Sequence, residues 1–202
     1  MTVTIEFFFD FMSPYTYLAS TQIEALAARN GAQVRWRPVH LPGLFKATGN
    51  KSPIETPAKA IQNIKDLGDW SKHYGIPPLI FPEGWPAPFA TASRVALVLE
   101  VQGKTASFAR KLFNRLWTTG DNGNSPEVLA EMLTAEGADA AAVLVEAASE
   151  PIKQRLRDNT DELVKRGGYG LPTLFVGEEM FVGNDRLMFV EAAVKRLNAT
   201  GA

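Results

Sequence analysis

The chain has 202 residues, 46% of them hydrophobic and 10% aromatic, with 21 basic against 22 acidic side chains and no cysteine. That is enough to bury one sizeable core and too apolar for a disordered chain, and a formal net charge of -1 supplies no general field for nucleic acid or an anionic membrane. Without cysteine there is no disulfide framework, and with His40 and His73 as the sole histidines a His/Cys metal cluster is excluded. Met1 leads into a strand-like stretch with no basic region before an apolar one, and no apolar run nears the ~18 residues of a membrane span, so the expected compartment is the cytoplasm.

Val3 to Phe11 is rich in β-branched and aromatic residues, as suits a central strand buried on both faces. Ser13 reads as an N-cap and Pro14 as the first residue of a helix that runs to about Asn30, with Gly31 ending it. Ala32 to Val39 alternates as a second strand, so a right-handed parallel βαβ unit is the default. Leu41 to Pro57 reads as loop, Lys59 to Tyr74 as helix, and Ile80 to Phe89 as a proline-broken aromatic loop.

Thr91–Val101, Thr105–Thr118, Pro126–Thr134, Asp139–Glu146 and Glu150–Arg166 follow as helices, too much helix for one crossover. Leu171 to Gly177 then reads as a strand opened by proline, Glu178 to Phe181 as its hairpin partner, and Arg186 to Asn198 as a last helix, with the tail from Ala199 frayed. This order predicts an α/β chain: a thioredoxin-like domain (1–55 and 167–202) carrying a large all-helical insertion (56–166).

Two features carry chemistry. Ser13-Pro14-Tyr15-Thr16 occupies the strand-to-helix turn where a thioredoxin-like protein carries its Cys-x-x-Cys pair, so the chain cannot run disulfide chemistry itself. Ser13 has a structural reading, as a helix cap worth ~1 kcal/mol, and a functional one, as a hydroxyl that donates to a thiolate arriving on a ligand. Leu171-Pro172 is either punctuation at a strand head or, with a cis bond, a backbone segment free to pair with an extended peptide-like ligand. His40 and His73 read as loop and helix-surface residues, and Trp85, Phe81, Phe89 and Trp117 as core. The aromatic loop that carries Phe81, Trp85 and Phe89 is nevertheless suited to walling a planar substrate, with Trp85 the candidate contact.

The strings Phe9-Asp10-Phe11-Met12-Ser13-Pro14-Tyr15-Thr16-Tyr17-Leu18-Ala19, Phe45-Lys46-Ala47-Thr48-Gly49-Asn50, Tyr74-Gly75-Ile76-Pro77, Gly170-Leu171-Pro172-Thr173 and Gly183-Asn184-Asp185-Arg186-Leu187 fall in order along nearly the whole chain. Together they resemble the 2-hydroxychromene-2-carboxylate isomerase family, relatives of kappa-class glutathione transferases in the DsbA-like thioredoxin superfamily. The resemblance implies a glutathione cofactor with its sulfur at catalytic Ser13. Asn50 and Lys59 would contact the tripeptide, the backbone of Leu171 would pair with its cysteinyl part, Pro172 would belong to the same binding segment, and Asn184 with Asp185 would grip its γ-glutamyl end. Lys46 would meet the carboxylate of a small aromatic substrate, and the family suggests a homodimer. The chain departs from the family at Glu55-Thr56, where an Asn-Arg pair is expected. The expected activity is a glutathione-dependent isomerase of arene breakdown. The alternatives are a kappa-like transferase or peroxidase, and a non-catalytic thioredoxin-like binding module.

Overall fold

The computed structural model describes residues 2–82 and 84–200. Four strands form one mixed sheet in the order β2-β1-β3-β4: β1 (Thr4–Phe9), β2 (Gln33–Pro38), β3 (Thr173–Val176) and β4 (Glu179–Val182). β1 pairs parallel with β2, Phe7 opposite Trp36, and antiparallel with β3, Phe8 opposite Thr173. As the central strand β1 has both faces covered, which is why Phe7, Phe8 and Phe9 are all fully buried despite pointing to alternate sides.

The helix expected over 14–30 is two helices, α1 (Pro14–Ser20) and α2 (Ile23–Arg29). The break has a local cause. Ser20 Oγ donates to the Tyr17 carbonyl and Thr21 Oγ1 to that of Leu18, both at 2.7 Å, so two consecutive hydroxyls turn back on the preceding turn and compete with its ladder.

The stretch expected as loop contains α3 (Leu41–Thr48) and a short 3-10 turn, Pro53–Glu55. Its prolines and glycines proved to mark ends: Pro42 lies in the first turn of α3, and Gly49 closes it with φ 71°. Next come α4 (Pro57–Tyr74), α5 (Ala90–Val98), α6 (Thr105–Thr119), α7 (Pro126–Ala135), α8 (Ala140–Ala147) and α9 (Glu150–Lys165), all between β2 and β3 in sequence. α10 (Leu187–Thr200) closes the chain after a 3-10 turn at Asn184–Arg186.

The sheet and the intervening helices share one core. Phe9 and Phe11 of the sheet side lie tilted against Phe113 of α6 at centroid distances of 5.8 and 4.7 Å, and Phe11 meets Phe108 edge-on. On the opposite sheet face, Arg37 lies 7% exposed, bonded to Glu6 at 2.7 Å, to Asn159 at 2.9 Å and to Glu162, with its guanidinium over the Phe8 ring. Arg166 stacks on Phe175 at 3.5 Å and also pairs with Glu6. This cluster fastens α9 to the sheet. No helix among the described residues is long and apolar enough to cross a membrane.

Candidate active site

Ser13 sits where β1 has ended and α1 begins, 6% exposed, and it is the N-cap of α1. Its Oγ accepts from the Thr16 N–H at 3.2 Å and lies 3.4 Å from the Leu171 carbonyl, to which it donates. The second bond is long, so an anionic acceptor brought nearby would take that proton in preference. The Leu171–Pro172 peptide is cis, the Pro172 carbonyl accepts from Gly183, and the Leu171 N–H finds no acceptor among the described residues.

The segment before Ser13 is held from several directions. Asp10, 1% exposed, accepts from the Met12 N–H at 2.9 Å through one carboxylate oxygen and from the Leu41 N–H at 2.8 Å through the other. Burial pushes its carboxyl above the ordinary value, against the opposing pull of those two donors. Trp85 Nε1 donates to the Met12 carbonyl at 2.9 Å and Trp117 Nε1 to that of Phe11 at 3.2 Å. One buried carboxylate and two indoles thus fix the chain immediately ahead of the hydroxyl.

Ser13 opens onto a cavity of about 460 Å³ between α1, α3, α4 and the aromatic loop. Its walls are largely apolar, with Leu41 and Phe45 from α3, Ile64 and Leu67 from α4, and Phe81 and Trp85 from the loop. Tyr15 and Asn63 also face it; the Tyr15 hydroxyl donates to Asp66 at 2.9 Å and lies 3.1 Å from the Asn63 amide oxygen. Burial, and then the Asp66 carboxylate, keep that phenol protonated well above its usual range.

Of the residues singled out from the sequence, Ser13, Asn50, Leu171 and Trp85 line this cavity together. Pro172 adjoins it through the cis bond. Asn50 spends its amide on the Tyr169 carbonyl at 2.8 Å, tying the α3–α4 link to the approach to β3. Lys46 and Lys59 are exposed on α3 and α4 and do not line the cavity, whereas Lys51 does. Asn184, 3% exposed, and Asp185 face a neighbouring groove of about 290 Å³ with Tyr74 and Trp70. Asn184 is held there by Tyr74, whose hydroxyl donates to its carbonyl at 3.0 Å. Asp185 nonetheless makes itself felt at the Tyr15 hydroxyl, where its charge helps raise the phenol's pKa.

Sequence reasoning missed Asp10, Tyr15, Phe45 and Lys51. Asp10 carried one usable signal, a lone charge within a run of buried aromatics. Of the aromatics read as core, Phe89 and Trp117 are fully buried, while Phe81, 38% exposed, and the half-buried Trp85 face the cavity, as the aromatic-loop reading expected.

The DSBA-like thioredoxin domain matches the chain over residues 4–195. The 2-hydroxychromene-2-carboxylate isomerase of Sphingobium xenophagum is 33% identical over 196 residues, covering 95% of this chain and 98% of that protein. The chain belongs to the 2-hydroxychromene-2-carboxylate isomerase family, within the DsbA-like thioredoxin superfamily. Glutathione S-transferase kappa 1 of Caenorhabditis elegans is 32% identical over 200 residues, covering 92% of this chain and 88% of that protein. A solved structure of a 2-hydroxychromene-2-carboxylate isomerase superimposes with a TM-score of 0.88 at 29% identity, over 98% of this chain and 99% of that one. The relatives of this family member are thus named isomerases and glutathione transferases, and the fold is the DsbA-like thioredoxin fold.

Proposed function

We propose that this chain is a glutathione-dependent isomerase acting on aromatic pyruvate derivatives of the 2-hydroxychromene-2-carboxylate type. The observation that carries the reading is the buried Ser13 hydroxyl facing both the Leu171 backbone and an apolar cavity. The groups present fit a γ-glutamyl tripeptide. The Leu171 N–H, without an acceptor among the described residues, suits β-type pairing with the cysteinyl unit, Asn50 and the exposed Lys59 suit the glycyl carboxylate, and Asn184 with Asp185 suits the α-ammonium end. When bound, glutathione supplies a sulfur nucleophile whose reversible addition to a conjugated carbonyl turns a rigid double bond into a rotatable one.

The chain's own part is fourfold. Ser13 donates a hydrogen bond to the sulfur and holds it ionised, helped by the N–H groups at the start of α1. The cis-Pro172 segment aligns the carrier. Trp85, Phe81 and Phe45 cover a planar substrate and exclude water. A cation at the rim, Lys46 by family position or Lys51 by its place in the lining, meets the substrate's carboxylate.

Titration of glutathione into the purified protein, with thiolate absorbance followed across pH, tests cofactor and residue together. The bound thiol is expected about one pKa unit or more below the free one, and Ser13→Ala is expected to remove most of that shift and lower turnover about 100-fold. A bound thiol with its free pKa, or no binding, overturns the reading. The similarity to a kappa-class transferase supports a second reading, a transferase on electrophiles. An isomerase returns its thiol and a transferase consumes it, so the glutathione balance during turnover separates them. The reading further includes a cytoplasmic homodimer, which sedimentation checks.

A further inference from the structure

On the side of α3 away from the Ser13 cavity lies a second groove, of about 390 Å³. α3 presents Leu41 and Phe45 to the cavity and Gly43, with His40 just before it, to this groove, as residues about half a turn apart must. α5 contributes Ala90 and Arg94. α9 contributes Lys153, Leu156, Arg157, Thr160 and Asp161, whose spacing places them on one helix face.

The charges here are poorly matched. Arg94 has no carboxylate within ion-pair distance among the described residues; its Nη2 donates to Thr91 Oγ1 at 3.0 Å and its Nε is buried without an acceptor. Lys153 and Arg157 share a single carboxylate, Glu150, which lies 3.8 Å from the lysine and is itself 69% exposed. Asp161 is the one acidic residue in the lining. Three cations therefore face two solvent-screened carboxylates, and the first turns of α3 and α5 open onto the same space with their partial positive charge. Apolar lining is confined to Leu156 and Ala90, so whatever binds is recognised by charge and not by an apolar body.

We propose that this groove binds a phosphate-type dianion at a site separate from the Ser13 cavity. Arg94 supplies a planar fork of donors with no competing carboxylate, Lys153 and Arg157 supply mobile point charges from the facing helix, and His40 closes the end near α3. Gly43 leaves room for the imidazole: a Cβ there would sit 3.0 Å from His40 Nδ1. The proposal does not depend on the glutathione reading.

The two histidines provide the measurement, because His40 lines this groove and His73 lies exposed on α4. Proton NMR of both imidazoles is followed while inorganic phosphate is added at about pH 8, where phosphate-type groups are dianionic, with chloride added to a control at equal ionic strength. The His40 resonance is expected to shift saturably while His73 does not, and Arg94→Gln is expected to weaken binding about tenfold or more. Ser13→Ala leaves the phosphate response unchanged. Should Arg94→Gln fold poorly, Lys153→Gln with Arg157→Gln on the exposed side serves the same purpose. Repeating the titration with glycerol phosphate separates the sources: tighter binding than phosphate assigns the site to a phosphate ester, equal binding to the free ion. A non-saturating shift, equal movement of both histidines, or undiminished binding by the folded variants overturns the proposal.

Discussion

At Ser13 one oxygen serves two purposes that compete only weakly. Its lone pair caps α1 through Thr16 N–H while its proton points to a distant carbonyl, so the hydroxyl can give that proton away without uncapping the helix. Ser13→Ala is therefore expected to cost about 1 kcal/mol of stability in denaturant unfolding, far less than its effect on turnover, and Ser13→Thr to restore most of the capping. Elsewhere a charge sets an acid response. Glu191 on α10 is held at about 2 by Arg29 at 2.7 Å, then by Lys195 and Asn30. A carboxyl lowered on folding stabilises the fold above its ordinary value near 4.5 and loses that contribution as pH falls toward 2. Glu191→Gln is expected to flatten that part of the stability profile by at most about 1 kcal/mol, because its partners are solvent-screened; thermal unfolding at several acid pH values reads it. Ser13 and Leu171 were legible from type and position alone. Asp10 was legible only as a lone charge in an aromatic run; its role lies in accepting from two backbone donors of separate segments, which that local pattern does not announce.

The elements were most legible where periodicity is long, as in α4, α6 and α9, and least where punctuation misled. Reading 41–57 as loop from Gly43, Gly49, Asn50, Pro53 and Pro57 overlooked that Gly43 falls within the first turn of α3, where a missing side chain does little harm, and that Gly49 only closes that helix. The α1–α2 break was hidden because a serine and a threonine look helix-compatible until their hydroxyls find carbonyls. α3 matters most to the site, since it forms one wall of the cavity and its neighbouring link carries Asn50 and Lys51. The junction from α9 into β3 depends on Gly168, where a Cβ would lie 2.3 Å from Leu163 Cδ1 and 3.1 Å from the Leu163 carbonyl. Leu163 is fully buried, so Gly168→Ala is expected to destabilise by about 1–3 kcal/mol, seen as a lower denaturation midpoint.

Across the whole molecule, the division into a sheet unit and a helical insertion is a division of sequence, while the packing is continuous from Phe7 to Trp117. Composition cannot reveal this, because the aromatics of both parts look alike until they meet. The Arg37 cluster makes the same connection on the other face, so Arg37→Ala, which leaves Glu6 and Glu162 to share Arg166 alone, is expected to cost about 1–2 kcal/mol and lower the unfolding midpoint without splitting the transition. The serine at the head of α1 has one more outcome, which concerns oxidants. In a chain wholly without thiols, peroxide has no sulfenic acid to make and no mixed disulfide to leave behind, so glutathione disulfide cannot cap the protein covalently. On the glutathione-dependent reading proposed above, oxidative loss through sulfur then falls on a replaceable small molecule or on methionine, and fresh reduced glutathione is enough to replace the former.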